Sequence, residues 1–142
     1  DWRQSFGHMD YDIWATVLRT NLMAPVKIAE AFASQVAASE IKKIVTISSA
    51  VSSIAETETG LYAYRTSKAA LNMAMATLAN ELRGQSIAVG AFCPGWVKTR
   101  MGGDGASVTP RQSIEGLRQR IDELSLDQTP RLTRYNGDVI PW

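Results

Sequence analysis

The chain has 142 residues, 45% of them hydrophobic, with 15 basic and 14 acidic side chains and a formal net charge of +1. This length and composition are typical of one globular domain. The balanced charge, without a block of Lys and Arg, argues against nucleic acid or a membrane surface as a partner. No apolar run approaches the roughly 20 residues that cross a bilayer, and no signal-peptide pattern is present, so we expect a cytoplasmic protein.

The single cysteine and the single histidine restrict the chemistry further. Cys93 stands in the apolar stretch IAVGAFCPG, where a buried thiol is expected. His8 lies far from it in the sequence. A zinc site or a Cys/His nucleophile pair therefore has little support, and we predict no metal site.

The first half of the chain alternates helix, strand and helix. Apolar residues spaced three to four apart predict a long amphipathic helix from Asp10 to about Ser39, which Pro25 should bend. Residues 43–49, KIVTISS, predict a buried strand that ends in two serines. A second helix is predicted from about Tyr62 to Arg83, with Gly84 as its C-terminal cap.

The second half continues this alternation. Residues 87–93, IAVGAFC, predict a second buried strand, and the Gly-rich residues 102–108 predict a flexible loop. A helix should begin after Thr109, because Thr, Pro and Gln stand in the order of a capping box. Its apolar residues expected to point inward are Ile114, Leu117, Ile121 and Leu124. A last strand at 132–135 leads into the hairpin-forming pair Asn136 and Gly137.

Continuous apolar strands alternating with helices are typical of an α/β protein with a parallel sheet covered on both faces. Ligands of such sheets bind outside the carboxyl ends of the strands. Ser48 and Ser49 end the first predicted strand, and Pro94 to Thr99 follow the second. Tyr64 and Lys68 begin the helix between these strands, and their spacing of four puts both on one helix face. We therefore expect these polar groups to meet at one edge of the sheet.

The pairing of Tyr64 with Lys68 suggests acid–base chemistry. An ammonium about 4 Å from a phenolate stabilises it by roughly 4 kcal/mol at an effective dielectric constant near 20. Ser49, an uncharged hydroxyl at a strand end, is suited to hydrogen-bond a substrate oxygen, whereas Ser48 should point the opposite way and be structural. Taken alone, a Tyr and a Lys at this spacing are more often an ordinary helix-surface pair, so the surrounding motifs decide the interpretation.

Four motifs together resemble the short-chain dehydrogenase/reductase family. In chain order they are Asn21 in RTNLMAP, the strand end TISS, Tyr64-x-x-x-Lys68, and CPGWVKT at 93–99. The segment YAYRTSKAALN and the ending GDVIPW are most similar to the C-factor and sniffer-type carbonyl reductases of that family. The resemblance implies a Rossmann-type, doubly wound parallel sheet, of which residues 1–142 are the C-terminal, catalytic part of a single domain.

The resemblance also implies a catalytic tetrad of Asn21, Ser49, Tyr64 and Lys68. Tyr64 would be the general acid in reduction of a small carbonyl compound and the base in oxidation of an alcohol. Lys68 would stabilise the phenolate and bind the nicotinamide ribose of NADP or NAD, with NADP favoured by the likeness alone. Ser49 would orient the substrate oxygen, and Asn21 would hold a water that links Lys68 to solvent.

The segment after the second strand is implied to bind the cofactor. Pro94, Gly95 and Val97 would line the nicotinamide, and Thr99 would contact its carboxamide or the phosphates. Trp96, beside the implied site, is assigned to substrate contact, with core or interface packing as the equal alternative. In this family the helices corresponding to residues 10–39 and 62–83 usually form a dimer interface, so a homodimer is expected.

Two alternatives to an active enzyme of this kind stay open. The sequence begins with Asp1 rather than Met, and no strand with a Gly-rich turn precedes Asp10, so we expect a fragment of a longer enzyme. A catalytically inactive scaffold that acts as an interaction module is the alternative function. An epimerase or dehydratase, which shares Tyr-x-x-x-Lys, is less favoured because the C-terminal region is short.

Overall fold

The computed structural model describes residues 4–128 and 130–142. Within them, helices and strands alternate as the sequence predicts. In chain order the regular elements are α1 (Tyr11–Leu18), α2 (Ala24–Ala38), β1 (Lys43–Ile47), α3 (Tyr62–Leu82), β2 (Ala88–Cys93), α4 (Pro110–Glu123), β3 (Leu132–Arg134) and β4 (Val139–Ile140).

The predicted long first helix is two helices joined by a π-helical turn at Arg19–Met23. Asp10 caps the start of α1, since the Asp10 carboxylate accepts a hydrogen bond from the Ile13 N–H at 2.9 Å. At the end of the π turn the N–H of Ala24 donates to the Arg19 carbonyl, five residues back. Pro25 has no N–H to offer to the carbonyl four residues before it. The expected disturbance at Pro25 therefore takes the form of a π turn directly before the proline.

The sheet is mostly parallel, as predicted for an α/β protein. Its strand order is β1-β2-β3-β4. β1 and β2 pair in parallel, with Ile47 opposite Phe92, and β2 and β3 also pair in parallel. β3 and β4 form the predicted antiparallel hairpin, in which Gly137 takes a positive φ of 99°.

The core lies on both faces of β2, all six residues of which are buried. On one face, Leu71 and Met75 of α3 pack with Val89. On the other face, Leu117 of α4 packs with Phe92. Helices on both faces of a central strand explain why the sequence of β2 is continuously apolar.

Two sequence predictions about local structure are wrong. Ile114 is 56% exposed, because α4 instead turns Ser113 inward, where the serine is 2% exposed. Gly84 does not cap α3, since a 3₁₀ turn at Arg83–Gln85 continues the helix and Ser86 takes the left-handed conformation. Residues 102–108 form a loop as predicted, and its last residue, Val108, pairs with Val97 and is buried.

β1 has a strand neighbour on one side only among the described residues. An open cleft of about 470 Å³ runs along its other side, beneath α2. Ile28 and Phe32 of α2 form part of its wall and are 61% and 56% exposed. Lys68 reaches the end of this cleft nearest the carboxyl end of β1.

Candidate active site

Tyr64 and Lys68 lie one helical turn apart at the start of α3. The Lys68 Nζ is 5.9 Å from the centre of the Tyr64 ring, so the two side chains share a helix face as predicted. The N–H of Tyr64 belongs to the first turn, which a helix cannot satisfy internally. It donates to the Gln4 Oε1 at 3.0 Å, a contact that spans 60 residues of sequence.

Lys68 also joins α3 to the carboxyl end of β1. Its Nζ donates a hydrogen bond to the carbonyl oxygen of Ile47 at 2.9 Å. This carbonyl faces the open edge of the sheet, because the next residue, Ser48, sends its N–H to Phe92 on the β2 side. Burial lowers the pKa of Lys68, since desolvation disfavours the ammonium.

Asn21 is connected to the Tyr64 turn through a residue that sequence reasoning missed, Ser67. The Asn21 Nδ2 donates to the Ser67 Oγ at 3.1 Å, and that hydroxyl donates to the Tyr64 carbonyl at 2.8 Å. Ser67 is fully buried. A serine directly before Lys68, within an otherwise apolar helix face, was the available signal.

Ser49 lies just beyond the end of β1 and is partly exposed, whereas Ser48 is buried. Ser49 caps a short 3₁₀ turn at Ala50–Ser52, and its hydroxyl accepts a long hydrogen bond of 3.4 Å from the Val51 N–H. This leaves the hydroxyl proton free of any described protein acceptor. Ser49 therefore has a donor to offer to a ligand oxygen.

Pro94, Gly95 and Val97 form a loop that is tied to the core. The Pro94 carbonyl accepts a hydrogen bond from the Ser113 hydroxyl at 2.7 Å. Gly95 has a φ of 82°, and a β-carbon there would lie 2.8 Å from the Tyr135 ring. Only glycine adopts this positive φ readily and also leaves room for the Tyr135 ring. Val97 pairs with Val108 in an isolated β-bridge.

Trp96 and Thr99 both contact Gly102, further along the same loop. The Trp96 indole N–H donates to the Gly102 carbonyl at 2.8 Å, although the side chain is 59% exposed. The Thr99 hydroxyl accepts from the Gly102 N–H at 3.2 Å and donates to the Val97 carbonyl at 3.3 Å. Both polar groups thus already have partners within the loop.

The parallel pairing of β1 with β2 brings the carboxyl ends of these two strands side by side. Ile47 of β1 lies opposite Phe92 of β2. Ser49 and Pro94, each two residues further along, therefore follow the ends of neighbouring strands. Lys68 links the helix of Tyr64 to the end of β1 through Ile47, and Asn21 is bonded to the same helix through Ser67. No hydrogen bond between side chains of the described residues connects the Pro94–Thr99 loop to Tyr64 or Lys68.

The described residues lack two features that other functions would need. No group of three or more His, Cys, Asp or Glu side chains there is arranged to hold a metal ion. In the same part of the chain no helix combines the length and the hydropathy needed to cross a membrane.

Comparison with known proteins places this chain in a family. A family model described as short chain dehydrogenase matches residues 1–107, three quarters of the chain, and the chain belongs to this family. It is 32% identical over 139 residues to C-signal of Myxococcus xanthus, covering 97% of this chain and 84% of that protein.

Solved structures of two carbonyl reductases share the fold. The carbonyl reductase Sniffer of D. melanogaster has a TM-score of 0.90 and 32% identity over 96% of this chain. The NADPH-bound carbonyl reductase from chicken fatty liver has a TM-score of 0.90 and 29% identity over 97% of this chain. The chain spans 60% of the length of each reductase.

Proposed function

We propose that this protein is an NAD(P)(H)-dependent oxidoreductase that reduces a small carbonyl compound or oxidises a secondary alcohol. The observation that carries the proposal is the placement of the Lys68 ammonium, which lies 5.9 Å from the Tyr64 ring and bonds to the Ile47 carbonyl, two residues before Ser49. The similarity to two carbonyl reductases supports the reaction class. The NADPH in one of them supports NADP as the preferred cofactor.

In this proposal Tyr64 exchanges the proton with the substrate, Lys68 stabilises the charge on Tyr64, and Ser49 orients the substrate oxygen. A bound nicotinamide cofactor would supply or accept the hydride. The Tyr64 hydroxyl donates its proton to the carbonyl oxygen in reduction and takes it back in oxidation. The Lys68 ammonium stabilises the phenolate that remains, and the Ser49 hydroxyl donates a hydrogen bond to the same substrate oxygen.

The residues present fit the nicotinamide end of a dinucleotide. Lys68 has N–H donors for ribose hydroxyls beyond its bond to Ile47. Pro94, Gly95 and Val97 form a wall at the adjacent strand end, with the Thr99 hydroxyl beside it. The described residues contain no strand, Gly-rich turn and helix of the kind that binds a pyrophosphate. Binding of the whole dinucleotide is therefore part of the proposal.

The experiment compares NADPH-dependent reduction of benzaldehyde by the wild-type protein, Tyr64→Phe and Tyr62→Phe. Tyr62→Phe is a matched control, because Tyr62 lies in the same helical turn and is 38% exposed. We expect Tyr64→Phe to lower kcat by about 10²–10⁴-fold, since it removes the proton donor, and Tyr62→Phe to match the wild type. Near-normal turnover by Tyr64→Phe would refute the assigned role.

A catalytically inactive scaffold is the second candidate function. The chain spans 60% of the length of each carbonyl reductase, so this candidate concerns the 142-residue chain by itself. Absence of both NADPH binding by calorimetry and turnover in the wild-type protein would support this candidate. The homodimer through residues 10–39 and 62–83 stays a prediction, which sedimentation of the wild-type protein tests separately.

A further inference from the structure

The turn that carries Ser49 is attached to α3 by two polar side chains, Arg65 and Asn72. The Arg65 Nη1 donates to the Val51 carbonyl at 3.2 Å. The Asn72 Nδ2 donates to the Ser52 hydroxyl at 2.7 Å, and that hydroxyl donates to the carbonyl of Ser49 itself at 2.6 Å. Both attachments therefore connect α3 to backbone carbonyls within three residues of Ser49.

These attachments lie on the helix that carries the proposed catalytic pair. Arg65 directly follows Tyr64, and Asn72 is seven residues after Arg65, which places it two turns along on nearly the same face. Lys68, between them, bonds to Ile47 on the other side of Ser49 in the sequence. One helix thus contacts the chain before and after Ser49 while it also presents Tyr64.

The polar contacts leave other buried groups without partners. The side chain of Arg65 is only 13% exposed, yet its Nε is buried with no hydrogen bond. The Oδ1 of Asn72, a residue that is 2% exposed, is likewise buried without a partner. Burying unpaired polar groups costs free energy, and well-packed apolar side chains at such positions are often at least as stable.

We infer that Arg65 is a positioning residue, which holds the Ser49 hydroxyl in place relative to Tyr64, with Asn72 as a second attachment. This inference rests on the proposed function, in which the Ser49 and Tyr64 hydroxyls contact the same substrate oxygen. Removing the Arg65 bond lets the turn move away from α3. Misplacement of a reacting group by about 1 Å can cost about 10²-fold in rate.

The test compares Arg65→Met with Arg120→Met. Arg120 is a close control, because its side chain is 18% exposed, pairs with Glu123 at 2.9 Å, and also has a buried Nε without a partner. We expect Arg65→Met to lower kcat for benzaldehyde about 10-fold or more with an unchanged KM for NADPH. Arg120→Met should keep the wild-type kcat, and Arg65→Lys should recover part of the loss, since its ammonium can still donate to Val51.

Amide hydrogen exchange tests the attachment without turnover. The N–H groups of Ser52 and Ser53 donate to the carbonyls of Ser49 and Ala50 at 3.1 and 3.0 Å. We expect both amides to exchange faster in Arg65→Met than in Arg120→Met.

Equal exchange in the two variants, or an equal change in kcat, would overturn the inference. Inactive wild-type protein would instead refute the proposed function. In that case faster exchange in Arg65→Met would still support the attachment of the turn to α3. Ser52→Ala provides a second variant, in which loss of the Asn72 attachment should lower kcat in the same direction.

Discussion

The Lys68 ammonium donates a hydrogen bond to the Ile47 carbonyl oxygen at 2.9 Å, and this contact joins the helix of Tyr64 to the end of β1. The carbonyl belongs to the open edge of the sheet, so Lys68 satisfies a backbone group that no strand of the described residues pairs with. The same ammonium lies beside the Tyr64 ring. Lys68 therefore connects the sheet edge to the proposed proton donor.

The lowered pKa of Lys68 predicts a pH-dependent stability. Burial disfavours the ammonium in the folded state, so the folded pKa lies below the ordinary value of 10.5. Between these two values the unfolded chain binds more protons, and stability contributed by this group rises with pH. Below that window the desolvation cost is present in full.

Urea unfolding of wild type and Lys68→Met measures this effect. We expect the free energy of unfolding of the wild type, minus that of the variant, to increase as pH rises from neutral towards 10.5. Groups whose titration does not depend on Lys68 cancel in the difference. A difference that is constant or falls over this range would contradict the assigned effect of burial.

The hydrogen bond between Asn21 and Ser67 predicts energetic coupling between the π turn and α3. We expect a double-mutant cycle of Asn21→Ala and Ser67→Ala to give a coupling energy of about 0.5–1.5 kcal/mol, measured by urea unfolding. The two residues are 46 positions apart in sequence, so local helix propensity cannot produce it. Additive effects of the two substitutions would show that the bond contributes nothing.

Lys43 is expected to stabilise the junction between β1 and α4. Its Nζ donates to the carbonyls of Ile121 and Asp122 at 2.7 and 2.8 Å, in the last turn of α4. Cations are favourable at that end of a helix. Lys43→Met should lower the free energy of unfolding by about 1–2 kcal/mol. Lys27→Met, at an exposed position on α2, is the control and should leave it nearly unchanged.

Gly116 allows the close approach of α4 to the β3–β4 hairpin. A β-carbon at Gly116 would lie 2.5 Å from the carbonyl oxygen of Tyr135, whereas one at Gly84 would meet nothing within 4 Å. We expect Gly116→Ala to destabilise the protein by about 1–3 kcal/mol. Gly84→Ala should change stability by less than about 1 kcal/mol. Equal melting temperatures of the two variants would refute the close packing.

Several features of the protein follow from short-range sequence patterns alone. Thr109 caps α4 as predicted, because capping depends on groups within three residues, and Asp10 caps α1 in the same way. Lys68 and Tyr64 share a helix face, because the helical repeat alone brings residues four apart together. The apolar run of β2 predicted a strand covered on both faces.

Other features depend on how distant elements pack against each other. Ile114 is exposed and Ser113 is buried, because the rotation of α4 about its own axis is set by its contacts with the sheet and the Pro94 loop. The contacts of Lys68 with Ile47 and of Arg65 with Val51 bridge 21 and 14 residues. A one-dimensional pattern specifies which side chains share a face, but only the tertiary structure decides which backbone groups those side chains reach.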